Sequence, residues 1–231
     1  DFDVVSWIKA EMRLMLEEEL AGAILVGDGR EVDDEDKIDE DKIRPIATDD
    51  DLYAATININ VDDANSSWLE FVDSVITNRH YYKGSGTLTL YTTEYVIAKL
   101  LTLRNADGVR YYRNIEELAS ELRVSSVVPV EILERDADLV AIMVNLQDYT
   151  VGADRGGEVN TFEDFDIDFN QHKYLIETRV SGALTKIRSA LVFRKVAGAS
   201  ALLTPAAPTQ DDNEVTIVNT ANVTYKVAAF T

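Results

Sequence analysis

The sequence predicts an α+β protein of two lobes, and three observations carry that prediction. Residues 3–29 repeat apolar side chains at helical spacing and end on a glycine-rich stop. Residues 62–150 mix helix-period with strand-period segments. Residues 151–196 alternate apolar and polar side chains over most of their length, as antiparallel strands do. At 231 residues and 46% hydrophobic composition, the chain can bury one large core or two modest ones.

In the first segment Val5, Ile8, Met12, Met15, Leu16, Leu20 and Ile24 recur at steps of three or four and line one helical face. Arg13 and Glu17 stand at i, i+4 with opposite charge. Asp3 suits an N-cap, and Gly27-Asp28-Gly29 tolerates the positive φ found just past a helix end. Such a helix runs about 35 Å at its usual rise per residue. Residues 31–51 follow as a densely acidic connection. They lack the alternate ligands, central glycine and closing glutamate of a calcium loop, so a solvated crossing between lobes is the expectation.

Residues 56–61 alternate strictly and predict a half-buried strand. Asp62 or Asp63 can cap a helix whose inner face carries Leu69, Val72, Val75 and Ile76. A loop at 81–86, a short strand at 87–91 and a helix capped by Thr92 or Thr93 come next, with Val96, Ile97, Leu100 and Leu101 inward. Asn105-Ala106-Asp107-Gly108 is a strong turn signal. Asn114-x-x-Glu117 resembles a capping box ahead of Leu118, Ala119 and Leu122. Strands are expected at 127–133, where Pro129 demands an edge or bulge, and at 139–146. Further strands fall around Phe165, Ile167 and Phe169, around Tyr174, Ile176 and Thr178, and at 189–196. Residues 197–210 read as an alanine- and proline-rich linker, and 215–227 as a hairpin that must dock to be stable. The resulting division is 1–61, 62–150, 151–197 and 198–231.

Composition excludes several kinds of function. Net charge is −20 and the sequence pI is about 4.4, so the chain repels nucleic acid rather than gripping it. That leaves open a protein that encloses nucleic acid without holding it. With no cysteine and two histidines, His80 and His172, disulfides, thiolate metal sites and histidine clusters are out of reach. No apolar run approaches the ~20 residues that span a bilayer. Asp1-Phe2-Asp3 has neither the basic start nor the cleavage pattern of a secretory leader, and the missing Met raises the expectation that residues have been cut away upstream.

No phosphate loop, nucleophile elbow, dinucleotide fingerprint or metal-binding histidine pair is present. No catalysis, metal or cofactor is expected. Asp164, Asp166 and Asp168 alternate along one strand and, with Glu177, could serve a carboxylate-dependent hydrolase. The same pattern describes the wet face of an exposed hairpin, the commoner arrangement. His80 beside Tyr81 and Tyr82 reads as the end of a helix, His172 as part of a polar turn, and Trp7 and Trp68 as core or interface residues.

Several stretches, in this order, resemble the major capsid proteins of tailed bacteriophages. Residues 12–29, from Met12-Arg13-Leu14 to Gly27-Asp28-Gly29, are similar to the family's long spine helix and its stop. The helix at 92–103 leads into Leu103-Arg104-Asn105-Ala106-Asp107-Gly108-Val109-Arg110-Tyr111-Tyr112, which resembles the family's turn after that helix. Val127-Val128-Pro129-Val130 resembles its small apolar strand, and residues 174–195, with Glu177-Thr178-Arg179, its late strands. The resemblance implies a capsid fold in which 62–150 form an axial α/β domain and the spine helix with 151–197 a peripheral one. It implies a virion subunit, assembled in the bacterial cytoplasm, that packs with copies of itself and encloses double-stranded DNA without sequence-specific or membrane contacts. Asn105, Asp107 and Gly108 would then lie toward a capsomer axis, and Asp164, Asp166, Asp168, Asn170 and His172 toward neighbouring capsomers. An encapsulin-like shell around protein cargo shares the same fold. The family's N-terminal arm and extended loop, which precede the spine helix, have no counterpart here, so this chain by itself is expected to be monomeric or weakly associated. Some members join a lysine of that loop to an asparagine beside a buried glutamate, and Asn170 and Glu177 have a compatible spacing.

Overall fold

The first apolar repeat folds as a single helix, α1 (Val4–Leu25). Its stop forms through the glycines, with φ at +103° in Gly27 and +70° in Gly29, while the N–H groups of Val26 and Gly27 both donate to the carbonyl of Gly22. The computed structural model describes residues 4–198 apart from 32, 36, 63, 154–158 and 169–170, together with the backbone of 214–218 and 224–228. Asp3, expected as the N-cap, lies outside the described residues. The apolar face of α1 buries less than its periodicity suggests. Ile8, Met12, Leu16 and Leu20 are half-buried and Met15 is exposed; only Gly22, Ala23 and Leu25, at the C-terminal end, enter a core.

The remaining elements, in chain order, are β1 (Ala54–Ile59), α2 (Asn65–Asn78), β2 (Thr89–Thr92), α3 (Glu94–Thr102), α4 (Ile115–Glu121), β3 (Val127–Pro129), β4 (Leu139–Val144), β5 (Tyr149–Ala153), β6 (Asn160–Asp166), β7 (Gln171–Glu177), β8 (Val180–Leu184), β9 (Ala190–Lys195), β10 (Glu214–Val218) and β11 (Thr224–Ala228). Residues 131–135 form a 3₁₀ turn instead of continuing β3, because Pro129 has no N–H with which to extend a ladder. As that proline requires, β3 is an edge strand.

Five strands make the main sheet, in the order β1-β9-β4-β2-β3. β9 runs parallel to β1 and antiparallel to β4, β2 is antiparallel to β4, and β3 parallel to β2. The sheet therefore draws strands from 1–61, 62–150 and 151–197 alike. β9, from the late stretch, is seated beside β4 at the centre. Its alternation divides the interior in two. Leu191 and Phe193 join Ile57, Ile59, Leu90 and Met143 under α2, α3 and α4. Ala190 and Val192 face the other way, with Ile142, Val144, Ile46, Leu133, Tyr149 and the end of α1.

Helix starts are set by side chains. Thr93 Oγ1 accepts from the N–H of Val96, and Asn114 Oδ1 accepts from Glu117 N–H at 2.8 Å. Glu117 reaches back to the N–H of Arg113 at 2.8 Å, one residue beyond the usual capping box. At α2 the cap is Ala64, and Asp62 accepts from Ala64 N–H and from Ser67 Oγ, both at 2.8 Å. Three pairs of strands stand outside the main sheet as two-stranded ribbons: β5 with β8, β6 with β7, and β10 with β11.

Phe193 is fully buried and meets Phe71 edge to face, with ring centroids 5.6 Å apart. Phe193→Ala removes this contact from an inner strand of the sheet and is expected to cost about 3–5 kcal/mol, read as a lowered urea midpoint with an unchanged slope.

Candidate interaction surfaces

The turn after α3 is a rigid tongue built from its own backbone. Asn105 Oδ1 accepts from the N–H groups of Asp107 (3.0 Å) and Val109 (2.9 Å). The main chain of Asn105 pairs with Val109 and Gly108, and Tyr111 N–H returns to the carbonyl of Leu103. Gly108 has φ +79° with open space where a Cβ would stand, so backbone conformation, not crowding, selects glycine there. Arg104 Nη1 donates to the Gly108 carbonyl at 2.8 Å. Buried Leu103 and Tyr112 root the tongue, and Val109, Arg110 and Tyr111 are exposed along it. The structure thus brings Asn105, Asp107 and Gly108 together in one turn.

A second surface combines α1 with the ribbon of β6 and β7. Lys9 pairs with Glu163 at 2.9 Å and lies 5.3 Å from the Tyr174 ring centroid, so the ribbon leans on the helix. The Lys9 hydrogen bond holds the Glu163 carboxyl below its ordinary pKa. His172 is opposite Phe165, ring centroids 5.0 Å apart, with its Nδ1 3.9 Å from Glu163. Asp166 pairs with Lys173 at 2.5 Å and accepts from Asp168 N–H at 3.1 Å. Asp164 and Asp166 share a face of β6, whereas Asp168 lies past the strand in the turn. Asp164, Asp168, His172 and Glu177 are exposed, with Asp166 half-buried. These acids do not line the concave pocket that a carboxylate-dependent hydrolase requires. Glu177, opposite Asn160 at the end of β7, is exposed where a buried glutamate would be needed for a cross-link. Asn170 lies outside the described residues. Phe162, Phe165, Ile167 and Leu175 are also exposed here, with Ile167 at 82%.

One polar cluster had no signal in the sequence beyond the glycines around Ser85. Asp148, whose side chain is buried, accepts from Ser85 N–H at 2.5 Å and pairs with Lys186 at 2.8 Å. Lys186 also reaches Ser85 Oγ, while Asn145 and Tyr82 both donate to the Ser85 carbonyl, at 2.7 and 2.8 Å. The cluster fastens the loop before β2 to the turns on either side of β5 and β8. The arrangement clamps a loop. Burial alone would raise the Asp148 pKa, but the hydrogen bonds from Lys186 and Ser85 outweigh it and the pKa is lowered. Burial beside the Asp148 charge pushes the Tyr82 hydroxyl up to about 12.

Among the described residues no group of acids and histidines is placed to hold a metal ion, and no helix is long and apolar enough to cross a membrane. Asp148→Ala leaves Ser85 N–H without its acceptor and Lys186 without its ion-pair partner, and is expected to cost roughly 1–3 kcal/mol at neutral pH. Because the folded pKa is depressed, the stabilisation is complete above the ordinary carboxylate value of about 3.9 and is lost as pH falls through the folded value. Denaturation curves of the two proteins should therefore converge on acidification below that range.

No family model matches the chain, and no curated protein matches it in sequence. Solved structures do. The chain superposes on the capsid of a native GTA particle with a TM-score of 0.59 and 14% identity, over 85% of this chain and 67% of that one. Against Gordonia phage Cozz the TM-score is 0.53 with 16% identity, over 84% and 64% of the two chains. Against the procapsid of satellite phage P4 with its size-determination protein it is 0.52 with 8% identity, over 86% and 65%. The chain spans about two thirds of the length of the chains it matches. From its α+β architecture and these superpositions, the chain has the fold of phage major capsid proteins.

Proposed function

We propose that this protein is a structural subunit of a viral capsid shell, which assembles with copies of itself into capsomers and encloses double-stranded DNA. The observation that carries the reading is the superposition of 84–86% of the chain on chains from three kinds of phage-type particle. Charge is compatible with it, since a container of net charge −20 does not adhere to the polyanion inside. The exposed apolar side chains of α1 and the β6–β7 ribbon suit contacts between subunits rather than a solvated monomer.

In this reading the residues at 62–150 form the axial part of the subunit, and α1 with 151–197 the peripheral part. The turn at Asn105, Asp107 and Gly108, and the ribbon carrying Asp164, Asp166, Asp168 and His172, are the assembly contacts. The subunit acts by shape: rigid elements present several separate faces, and symmetry closes them.

Electron microscopy and light scattering of this chain, beside any longer form encoded upstream of Asp1, test the proposal. Rings or closed shells are expected in at least the longer form, with DNA inside shells recovered from the host resisting nuclease. Species no larger than a dimer for both, at every concentration tried, would overturn it.

A further inference from the structure

The turn after α3 is also a basic tongue in an acidic chain, and a cleft with an exposed carboxylate stands at the other end of that helix. The tongue residues 104–113 include Arg104, Arg110 and Arg113 against one acid, Asp107. All three arginines are exposed. The arginines that do form ion pairs among the described residues are Arg30, Arg44, Arg135 and Arg194, none of them in the tongue. Val109, at 58% exposed, and Tyr111, at 44%, flank Arg110, so the tongue presents a cation between two apolar side chains.

The cleft, of about 470 Å³, opens where β1, β2 and β9 end and where α2 and α3 begin. Trp68 lines this cleft, is 5% exposed, and its Nε1–H has no acceptor among the described residues. Tyr95, at 55% exposed, forms an aromatic wall edge-on to Trp68. Of the acids in the lining, Asp136 is paired with Arg194 at 2.8 Å and Asp62 interacts with Lys195. Glu134 is exposed and forms no ion pair among the described residues.

Tongue and cleft lie at opposite ends of α3. Tyr95 and Val96 of its first turn line the cleft, and the tongue follows its last residue, about 14 Å further along the axis. We propose that the tongue of one subunit seats in the cleft of a second copy, with the Arg110 guanidinium on Glu134 and the apolar flanks of the tongue against Tyr95. Charge favours the fit, since an unpaired arginine meets an unpaired carboxylate. Such a contact joins unlike faces, so it repeats from copy to copy and closes into a ring when the rotation allows. The inference rests on the shell reading only in requiring that copies of the chain meet.

The chain has no cysteine, which makes disulfide trapping clean. Val109→Cys and Ala137→Cys both alter exposed positions and leave Arg110 and Glu134 in place, and each variant is prepared separately. Mixed under mild oxidation, they are expected to yield a heterodimer at least several-fold above the dimer from either alone. The additional change Arg110→Glu in the Val109→Cys chain should abolish that excess, with the far-ultraviolet circular dichroism of every variant unchanged. Efficient cross-linking of Val109→Cys to itself would show that tongues meet tongues and would overturn the pairing. So would a mixture that traps nothing while Arg110→Glu lowers affinity for duplex DNA at low salt, which assigns the tongue to a polyanion. Failure of the shell reading has a different signature: no rings or shells by microscopy, with the heterodimer still trapped.

Discussion

The structure depends on where β9 sits. A strand made near the end of the described body enters between β1 and β4, parallel to one and antiparallel to the other. Its side chains then serve two interiors at once: Leu191 and Phe193 close the one beneath α2, α3 and α4, and Ala190 and Val192 the one at the root of α1. Neither interior is complete without it. Strands read from three separate stretches are thereby held in one sheet, and long-range pairing of this kind makes folding wait on chain closure.

Around that sheet the molecule keeps its surfaces unevenly finished. The side that carries α2, α3 and α4 is capped by Thr93 and Asn114 and clamped at the Ser85 loop, where Asp148 collects donors from two segments. The ribbon of β6 and β7 is attached by surface pairs such as Lys9 with Glu163, and it leaves Phe162, Phe165, Ile167 and Leu175 exposed. A buried polar cluster fixes one arrangement, whereas a surface ion pair confines only weakly. The same chain therefore contains a rigid centre and a loosely held periphery.

Elements with a local cause were legible in the sequence. Helical spacing identified α1, and glycine chemistry identified its stop and the tongue turn. Asn114 with Glu117 identified the start of α4, and Pro129 an edge strand. Long-range geometry was not legible. The alternation at 189–196 marked a strand but carried no sign that its neighbours would be β1 and β4. Periodicity showed that α1 had an apolar face, yet could not show that much of this face would remain half-buried against a two-stranded ribbon. Asp148 looked like one acid among many, because Ser85 and Lys186 come to it from 63 and 38 residues away. Of the candidate residues, Asn105, Asp107 and Gly108 converge because one turn contains them all. The acids of β6 and its turn share only an exposed ribbon.

The rooting of α1 has a mechanical consequence. Gly22, Ala23 and Leu25 enter the core, while the start of the helix meets the ribbon of β6 and β7 through Lys9. A 22-residue helix held in this way is a cantilever about 33 Å long. A rotation of about 5° at its root moves the tip by about 3 Å, from the same helical rise, at the end where Lys9 meets the ribbon. Small adjustments at Leu25, too slight to disturb the sheet, are thus magnified at the periphery.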